Sequence, residues 1–334
     1  MLSRITLVYL FLLAMLAGCS SSGKAVSEKA AQENTAPENA APDGTAAEKA
    51  ATKAALKKHM LWQISDSNSS VYLLGSVHFA DSTFYPLDTA ITNAFDNSTE
   101  LAVELDMTDT AVYMAIAKQS ELRGKLPAGQ SLAQILPGDV KKLLDSLCQA
   151  WYIAPEVLYG FKPWSAAMTI SSLAIMRLGF DPNLGIDFYF LNSAIENQKK
   201  IVSLESVEDQ VAVLVGEGIP DSLAFYYLKS SITEMQLMDS SITQMMRAWR
   251  TGDESLFREA MYMEAEGEVK DSLMDAAIED LVYISRNRNM ADSIASFLAQ
   301  DRKVFIVVGA AHMAGKGDNV LKLLRDKGMT IEQH

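Results

Sequence analysis

Two segments of the sequence follow one plan, Val71-Tyr72-Leu73-Leu74-Gly75-Ser76-Val77-His78 and Phe305-Ile306-Val307-Val308-Gly309-Ala310-Ala311-His312. Each is a short run of bulky apolar residues that ends in the pattern Gly-x-x-His. Short runs that are apolar throughout are typical of strands with both faces covered, as in a parallel sheet between layers of helices. The repeated pattern therefore predicts an α/β fold in which both segments are central strands.

Further apolar runs elsewhere in the sequence predict additional strands of this sheet. Residues 61–64 and 71–74 flank a Ser- and Asp-rich turn and are predicted to form a β-hairpin. Other strands are predicted at 101–105, 200–205 and near Thr330, with mainly helical segments at 108–198 and 220–300. We therefore predict one domain, 59–334, with a central mixed, mostly parallel sheet, flanking helices and large helical insertions.

Composition excludes several classes of protein. The chain has 29 Lys and Arg against 42 Asp and Glu, a formal net charge of −13, which argues against a nucleic-acid partner. Two cysteines cannot build a disulfide framework or a cysteine-based zinc site. Of the four histidines, His59 adjoins the N-terminal segment and His334 is terminal, which leaves His78 and His312 as the interior pair.

The N-terminal residues are typical of an export signal rather than of the folded domain. Residues 1–18 combine a basic start, an apolar run and small residues, and Leu16-Ala17-Gly18-Cys19 resembles a bacterial lipobox. We expect cleavage before Cys19, its lipidation and a flexible Ala-, Glu- and Lys-rich tether over 19–58. The protein would then be exported and held in the bacterial envelope by its lipid, and Ser20 favours the outer membrane where one exists. An ordinary signal peptide with an uninvolved Cys19 is the alternative.

The interior histidines share a sheet edge with several carboxylates. His78 and His312 follow buried strands, and the carboxyl ends of parallel strands are where ligands bind in open α/β sheets. Glu104 and Asp106 are expected to lie on one face of the strand at 101–105, and Glu205 ends its strand in the same way. Ser76 is expected to point away from His78, which disfavours it as a nucleophile.

This set of side chains suits a divalent metal ion. Two neutral imidazoles with one or two carboxylates are appropriate ligands for zinc, manganese or cobalt, and such an ion can acidify a bound water and polarise a carbonyl. Glu104 or Glu205 could serve as ligand or as general base, and the sequence leaves both roles open. The alternative is that these carboxylates only hydrogen-bond amides at the starts of helices.

Motifs along 60–334 carry a family resemblance. They are Trp62, Tyr72-Leu-Leu-Gly75-Ser-Val-His78, Phe84-Tyr85-Pro86, Val103-Glu104-Leu105-Asp106, Lys162-Pro163-Trp164, Gly185-Ile186-Asp187, Leu204-Glu205-Ser206-Val207-Glu208-Asp209-Gln210, Arg286-Asn287 and Val308-Gly309-Ala310-Ala311-His312. The sequence thereby resembles the TraB/GumN (TraB/PrgY/GumN) family, which includes pheromone-shutdown proteins and the animal Tiki proteins. Ser76 and Val77 replace the usual Thr and Ile, and neither change touches an expected ligand.

The resemblance implies a site and an activity. Tiki members are described as metal-dependent proteases with two Gly-x-x-His motifs and a Glu, which implies His78, Glu104 and His312 as the metal site. Glu205 and Arg286 would lie behind them, with Arg286 available to a substrate carboxylate or oxyanion. We therefore expect an envelope-anchored, metal-dependent hydrolase, a metallopeptidase acting on a peptide or protein. A peptide-signal binding protein without turnover is the alternative, and a haem or metal carrier is a third hypothesis.

Overall fold

The computed structural model describes residues 58–263 and 271–334. The expected signal peptide, Cys19 and nearly all of the tether lie outside these residues. Six strands form one mixed sheet in the order β4-β3-β5-β2-β1-β6. They are β1 (Leu61–Ser65), β2 (Ser70–Ser76), β3 (Glu100–Val103), β4 (Lys200–Ser203), β5 (Val304–Gly309) and β6 (Thr330–Gln333). The predicted α/β class is confirmed.

Pairing in the sheet is parallel at its centre and antiparallel at one side. The neighbours β4 and β3, β3 and β5, and β5 and β2 run parallel. Strand β1 pairs antiparallel with β2, as the predicted hairpin, and also with the C-terminal strand β6. The sheet is thus completed by both ends of the described domain.

Helices cover the sheet and fill the long intervals between its strands. They are α1 (Thr89–Asp96), α2 (Thr110–Gly124), α3 (Leu132–Ile135), α4 (Gly138–Trp151), α5 (Glu156–Tyr159), α6 (Pro163–Arg177), α7 (Ile186–Glu196), α8 (Val207–Val215), α9 (Asp221–Thr233), α10 (Met235–Thr251), α11 (Glu254–Met261), α12 (Ser272–Glu279), α13 (Ser285–Ala299), α14 (Ala311–Ala314) and α15 (Val320–Asp326). Within residues 58–263 and 271–334, none of these helices combines the length and apolar character needed to cross a membrane.

Local sequence signals explain where two of the helices near the sheet edge begin. Helix α8 begins with a capping box, in which the Ser206 hydroxyl accepts from the Asp209 N–H while the Asp209 carboxylate binds the Ser206 N–H. Helix α6 begins with Pro163, whose missing N–H has no role in a first helical turn. Both helices therefore begin at residues that are typical of helix N-termini.

The strand predicted at 101–105 ends earlier in the structure, before Glu104. Strand β3 ends at Val103, so Glu104 and Asp106 do not share a strand face. Asp106 instead turns toward the loop, where its Oδ1 accepts from the Thr108 N–H at 3.0 Å. The expectation that Asp106 joins the carboxylates of the site is therefore wrong, because the strand ends before both residues and Asp106 bonds within the loop that follows.

Candidate functional site

The parallel pairing of β2 with β5 brings the two Gly-x-x-His motifs to one edge. Ser76 pairs with Gly309 in the register of the two strands, and the Ala310 N–H donates to the Ser76 carbonyl at 2.8 Å. His78 follows the end of β2, and His312 lies in α14, the single helical turn after β5. The two histidines therefore meet although 234 positions separate them in the sequence (312 − 78).

Both histidine rings approach the same carboxylate oxygen. The Oε1 atom of Glu104 lies 3.8 Å from Nε2 of His78 and 3.7 Å from Nε2 of His312. The same oxygen accepts the backbone N–H of Gly309 at 2.8 Å. A Cβ on Gly309 would lie only 3.3 Å from Glu104 Oε1 and 3.4 Å from His78 Nε2, so the absence of a side chain there gives the cluster its room.

The other ring nitrogen of each histidine is held by an oxygen acceptor. His78 Nδ1 makes a short contact with Asp187 Oδ2, and Asp187 Oδ1 accepts the Ser76 hydroxyl at 2.7 Å. His312 Nδ1 lies 2.6 Å from Asn287 Oδ1. Asn287 Nδ2 donates to the Asp318 carbonyl at 2.9 Å, which identifies the atom facing His312 as the amide oxygen.

These contacts determine the tautomer of each neutral ring. Because Asp187 and Asn287 present acceptors, Nδ1 carries the proton in both rings and the Nε2 lone pair is directed toward the Glu104 side. Two imidazole lone pairs and a carboxylate oxygen thus converge, an arrangement that attracts a proton or a metal cation. In metal sites the same pattern, with Nδ1–H bound to a carboxylate or amide oxygen, orients the ligating rings.

Arg286 holds both glutamates of the site. Its Nη2 lies 2.6 Å from Glu104 Oε2, and its Nε and Nη2 contact the two Glu205 oxygens at 2.6 and 2.8 Å. The side chains of Arg286, Glu104 and Glu205 are only 9%, 9% and 3% exposed. Gln210 from α8 also donates to Glu205. Arg286 therefore joins the two carboxylates in one buried charge network.

Burial and neighbouring charges shift the pKa values of the carboxylates in opposite directions. Burial alone would raise the pKa of Glu104, but positive charge on His312 when protonated and on Arg286 holds it well below its ordinary value. Burial raises the pKa of Glu205, and its attraction to Arg286 only partly opposes this. Glu104 is therefore the stronger acid of the pair.

The pKa values of the two histidines also shift in opposite directions. Burial lowers the pKa of His312 to about 3, with Arg286 acting in the same direction. For His78 burial also lowers the pKa, but the Asp187 carboxylate outweighs it and the net shift is upward. His312 is thus a neutral ring near neutral pH, while His78 is the ring on which a proton is retained more readily.

A π-helical segment ends two residues before Arg286. Residues Asp280–Ile284 form this segment between α12 and α13. The Arg286 Nη1 group donates to the Val282 carbonyl at 3.2 Å, and the ring of Tyr283 packs edge-on against His312 with centroids 5.4 Å apart. Inserted π-helical turns are frequent at functional sites because they re-aim side chains of a helix.

Two imidazole nitrogens and a carboxylate oxygen are suitable ligands for a divalent metal ion, but they lie farther apart than in a formed metal site. In the described ranges, no group of three or more His, Cys, Asp and Glu side chains is arranged so that it could hold a metal ion as it stands. Two atoms bound to one zinc ion at about 2.1 Å can be at most about 4.2 Å apart. The separations of 3.7 and 3.8 Å from Glu104 Oε1 lie within that reach. Each Nε2 atom is therefore close enough to Glu104 Oε1 for the two atoms to share one ion.

The structure brings together the residues singled out from the sequence, namely His78, Glu104, Glu205, Arg286 and His312. The expectation that Ser76 points away from His78 is wrong, because both side chains contact Asp187.

Three further residues of this cluster were given no role by the sequence reasoning: Asp187, Gln210 and Asn287. Each lies in a motif that carries the family resemblance, which was the one signal available for them.

Comparison with known proteins agrees with these motifs. The model of the TraB/PrgY/gumN family matches residues 60–333. The chain belongs to this family. An uncharacterized protein YbaP of Escherichia coli (strain K12) is 24% identical over 279 residues, which cover 81% of this chain and 96% of that protein. The YbaP protein of Shigella flexneri matches equally, and an uncharacterized protein of Treponema pallidum is 23% identical over 47% of each chain. No solved structure gives a significant match.

Proposed function

We propose that this TraB/PrgY/gumN family member is a divalent-metal-dependent hydrolase that cleaves a peptide or protein substrate. One observation carries the proposal. The Nδ1 contacts of both rings turn the Nε2 atoms of His78 and His312 toward Glu104 Oε1, at 3.8 and 3.7 Å. A neutral His pair with one carboxylate is a ligand set for zinc, manganese or cobalt.

The residues take distinct roles in this proposal. His78, Glu104 and His312 would hold the metal, which supplies a Lewis acid and an acidified water when bound. Arg286 keeps Glu104 ionised and fixes its orientation through Oε2. Glu205 is held by Arg286 and Gln210, and its side chain is 3% exposed, which favours a positioning role over proton transfer to substrate.

One side of the site is open to solvent, which supports the proposal that a ligand binds there. The side chains of His78 and Asp187 are each 17% exposed, whereas that of His312 is 4% exposed. A substrate would therefore approach from the His78 side, and the buried Arg286 would not contact it directly. This differs from the expectation that Arg286 meets a substrate carboxylate, and it makes Arg286 a positioning residue.

Metal content of the purified full-length chain tests the proposal first. We expect about one zinc, manganese or cobalt ion per chain, lost in the double variant His78→Ala/His312→Ala and retained in His334→Ala. Circular dichroism establishes that each variant is folded. Absence of bound metal after each of the three ions has been offered would refute the metal-dependent mechanism.

A peptide-binding protein without turnover is the second candidate. Its supporting observation is that Glu104 is already engaged, by the Gly309 N–H at 2.8 Å and by Arg286 at 2.6 Å. Incubation with a peptide library separates the two candidates. Hydrolysis by the loaded protein, suppressed by a chelator, supports the enzyme, whereas retention of intact peptides in the presence of the chelator supports the binding protein.

We further propose that the protein is exported and anchored in the bacterial envelope through lipidated Cys19. The lipobox-like Leu16-Ala17-Gly18-Cys19 supports this proposal. Labelled palmitate should enter the protein produced in a bacterial cell and should be absent from Cys19→Ser. A membrane-fraction protein whose N-terminus retains residues 1–18 would contradict lipoprotein processing.

A further inference from the structure

A cavity of about 500 Å³ lies away from the histidine cluster, between α2, α6 and the C-terminal end of α8. Apolar side chains form much of its wall, including Met114, Phe161, Leu214 and Val215. Its volume falls in the range of small-molecule binding sites, which are mostly apolar with a few polar groups. The polar groups in this wall therefore indicate what kind of ligand it suits.

Two buried hydroxyls in the wall have no hydrogen-bond partner in the described part of the chain. Ser120 of α2 and Ser165 of α6 are 8% and 6% exposed, and neither Oγ atom is paired. Of the other hydroxyls on α6, Ser171 Oγ is also unpaired, whereas Thr169 and Ser172 follow the usual solution for a helix. Thr169 donates to the Ser165 carbonyl at 2.8 Å, and Ser172 to the Met168 carbonyl at 3.1 Å. Unpaired buried hydroxyls are uncommon, and at Ser120 and Ser165 a ligand that accepts hydrogen bonds would satisfy them.

The two hydroxyls line the same cavity, where α2 and α6 approach each other. Ser120 and Gly124 are one helical turn apart on α2 and therefore share a face. A Cβ on Gly124 would lie 2.9 Å from Ser165 Oγ, so α6 approaches α2 at this point. Ser120 and Ser165 therefore belong to the part of the cavity wall that α2 and α6 form together.

The rim of the cavity has an excess of positive charge. Lys118, Glu121 and Lys125 border it, and Glu121 pairs with Lys125 at 2.7 Å. Among the residues that the structure describes, Lys118 makes no ion pair. Its charge is thus available to an anionic ligand, and its side chain borders the same cavity as Ser120 and Ser165.

We propose that this cavity binds a single-chain fatty carboxylate. The alkyl chain covers Phe161, Leu214 and Val215, the carboxylate accepts from the hydroxyls of Ser120 and Ser165, and Lys118 supplies the counter-charge. This ligand satisfies the apolar wall, the unpaired donors and the rim charge together. The proposal is independent of the metal-dependent hydrolase, because none of these residues belongs to the histidine cluster.

Calorimetric titration of the full-length chain with dodecanoate, kept below its micelle concentration, tests the proposal. We expect binding at one site, weakened at least five-fold in Lys118→Glu and in Ser120→Ala/Ser165→Ala. Ala117→Phe, which fills the cavity, should abolish it. Lys142→Glu, an equal charge reversal at an exposed position of α4, should leave the affinity unchanged.

Two results would overturn the assignment. One is the absence of dodecanoate binding to the wild-type chain. The other is equal affinity of the wild-type chain and Lys118→Glu, which would show that the carboxylate is not recognised at this rim. Lys118 is exposed, so its variant keeps the test decisive even if Ala117→Phe fails to fold.

Discussion

Asn287 Oδ1 lies 2.6 Å from His312 Nδ1, and the Asn287 amide is itself oriented by the Asp318 carbonyl. This pair determines which nitrogen of the buried ring is directed toward Glu104. Asp187 performs the same task for His78 with a carboxylate instead of an amide. One ring is thus held by a neutral acceptor and the other by a charged one. Burial lowers the pKa of both rings, and at His78 the Asp187 carboxylate contributes most to reversing that shift.

Asn287→Ala should weaken metal binding by about 10- to 100-fold, the usual effect of removing a group that orients a ligating histidine. The His312 ring would lose the acceptor that keeps its proton on Nδ1. Competition between the protein and a chromophoric chelator measures the change. Asn289→Ala, on the exposed side of α13, is the matched control and should bind as the wild type does. Equal affinities for both variants would contradict the orienting role.

Asp187→Asn should move the His78 proton. An amide can present its NH₂ group to Nδ1, which favours the tautomer with the proton on Nε2, facing Glu104. We expect at least ten-fold weaker metal binding, and nitrogen chemical shifts of the imidazole should report the exchanged tautomer. Asp221→Asn, an exposed position of α9, is the control. An unchanged Nδ1–H tautomer in Asp187→Asn would show that Asp187 does not set the ring state.

Arg286→Met should destabilise the fold strongly. It leaves the buried carboxylates of Glu104 and Glu205 without their shared cation, and removing one partner of a buried ion pair lowers the free energy of unfolding by about 3–5 kcal/mol. Urea denaturation measures this change. Arg288→Met removes only a half-exposed pair with Asp318 and should change stability by less than about 1 kcal/mol. Similar losses for the two arginines would be incompatible with the buried network.

Gly309→Ala should separate site function from folding. The added Cβ would lie 3.3 Å from Glu104 Oε1 and 3.4 Å from His78 Nε2, tight contacts that small side-chain shifts can relieve. We expect a folded protein, destabilised by less than about 2 kcal/mol, that binds metal poorly. Gly138→Ala has open space around its Cβ and serves as the control. Undiminished metal binding by Gly309→Ala would show that this room is not needed.

Stability in the presence of a chelator should depend on pH through His312. Its folded pKa of about 3 lies below the ordinary 6.5, so the unfolded chain takes up the proton first and stability falls as pH decreases below 6.5. From pH 7 to 5.5 this group contributes a loss of about 1 kcal/mol. The raised pKa of His78 changes stability in the opposite direction. Its contribution to the free energy of unfolding is complete below pH 6.5 and is lost as pH rises.

His312→Gln isolates that contribution. The difference in free energy of unfolding between wild type and variant should shrink by about 1 kcal/mol between pH 7 and 5.5, as followed by urea denaturation. For Asn289→Ala, which does not change a titrating group, the free energy of unfolding should depend on pH as it does in the wild type. A constant difference between wild type and His312→Gln would mean that the buried ring is not kept neutral.

Local patterns in the sequence predict the fold class and the edge at which the site lies. Apolar runs such as 71–74 and 305–308 can only be buried inside a covered sheet, and parallel strands place their carboxyl ends together. His78, Glu104 and His312 were predicted from that argument. The resemblance to the TraB/PrgY/gumN family, now shown by the match over 60–333, added Arg286.

Tertiary structure decided what each of these side chains contacts. Strand β3 ends one residue before Glu104, and Asp106 lies in the loop that follows, away from the site. Glu205 is enclosed by Arg286 and Gln210. Asp187 and Asn287 come from helices 109 and 25 positions away from the rings that they orient. Hydrophobic periodicity specifies which face of an element is buried, but the polar partner of a buried group depends on how distant helices pack, and no local pattern encodes that choice.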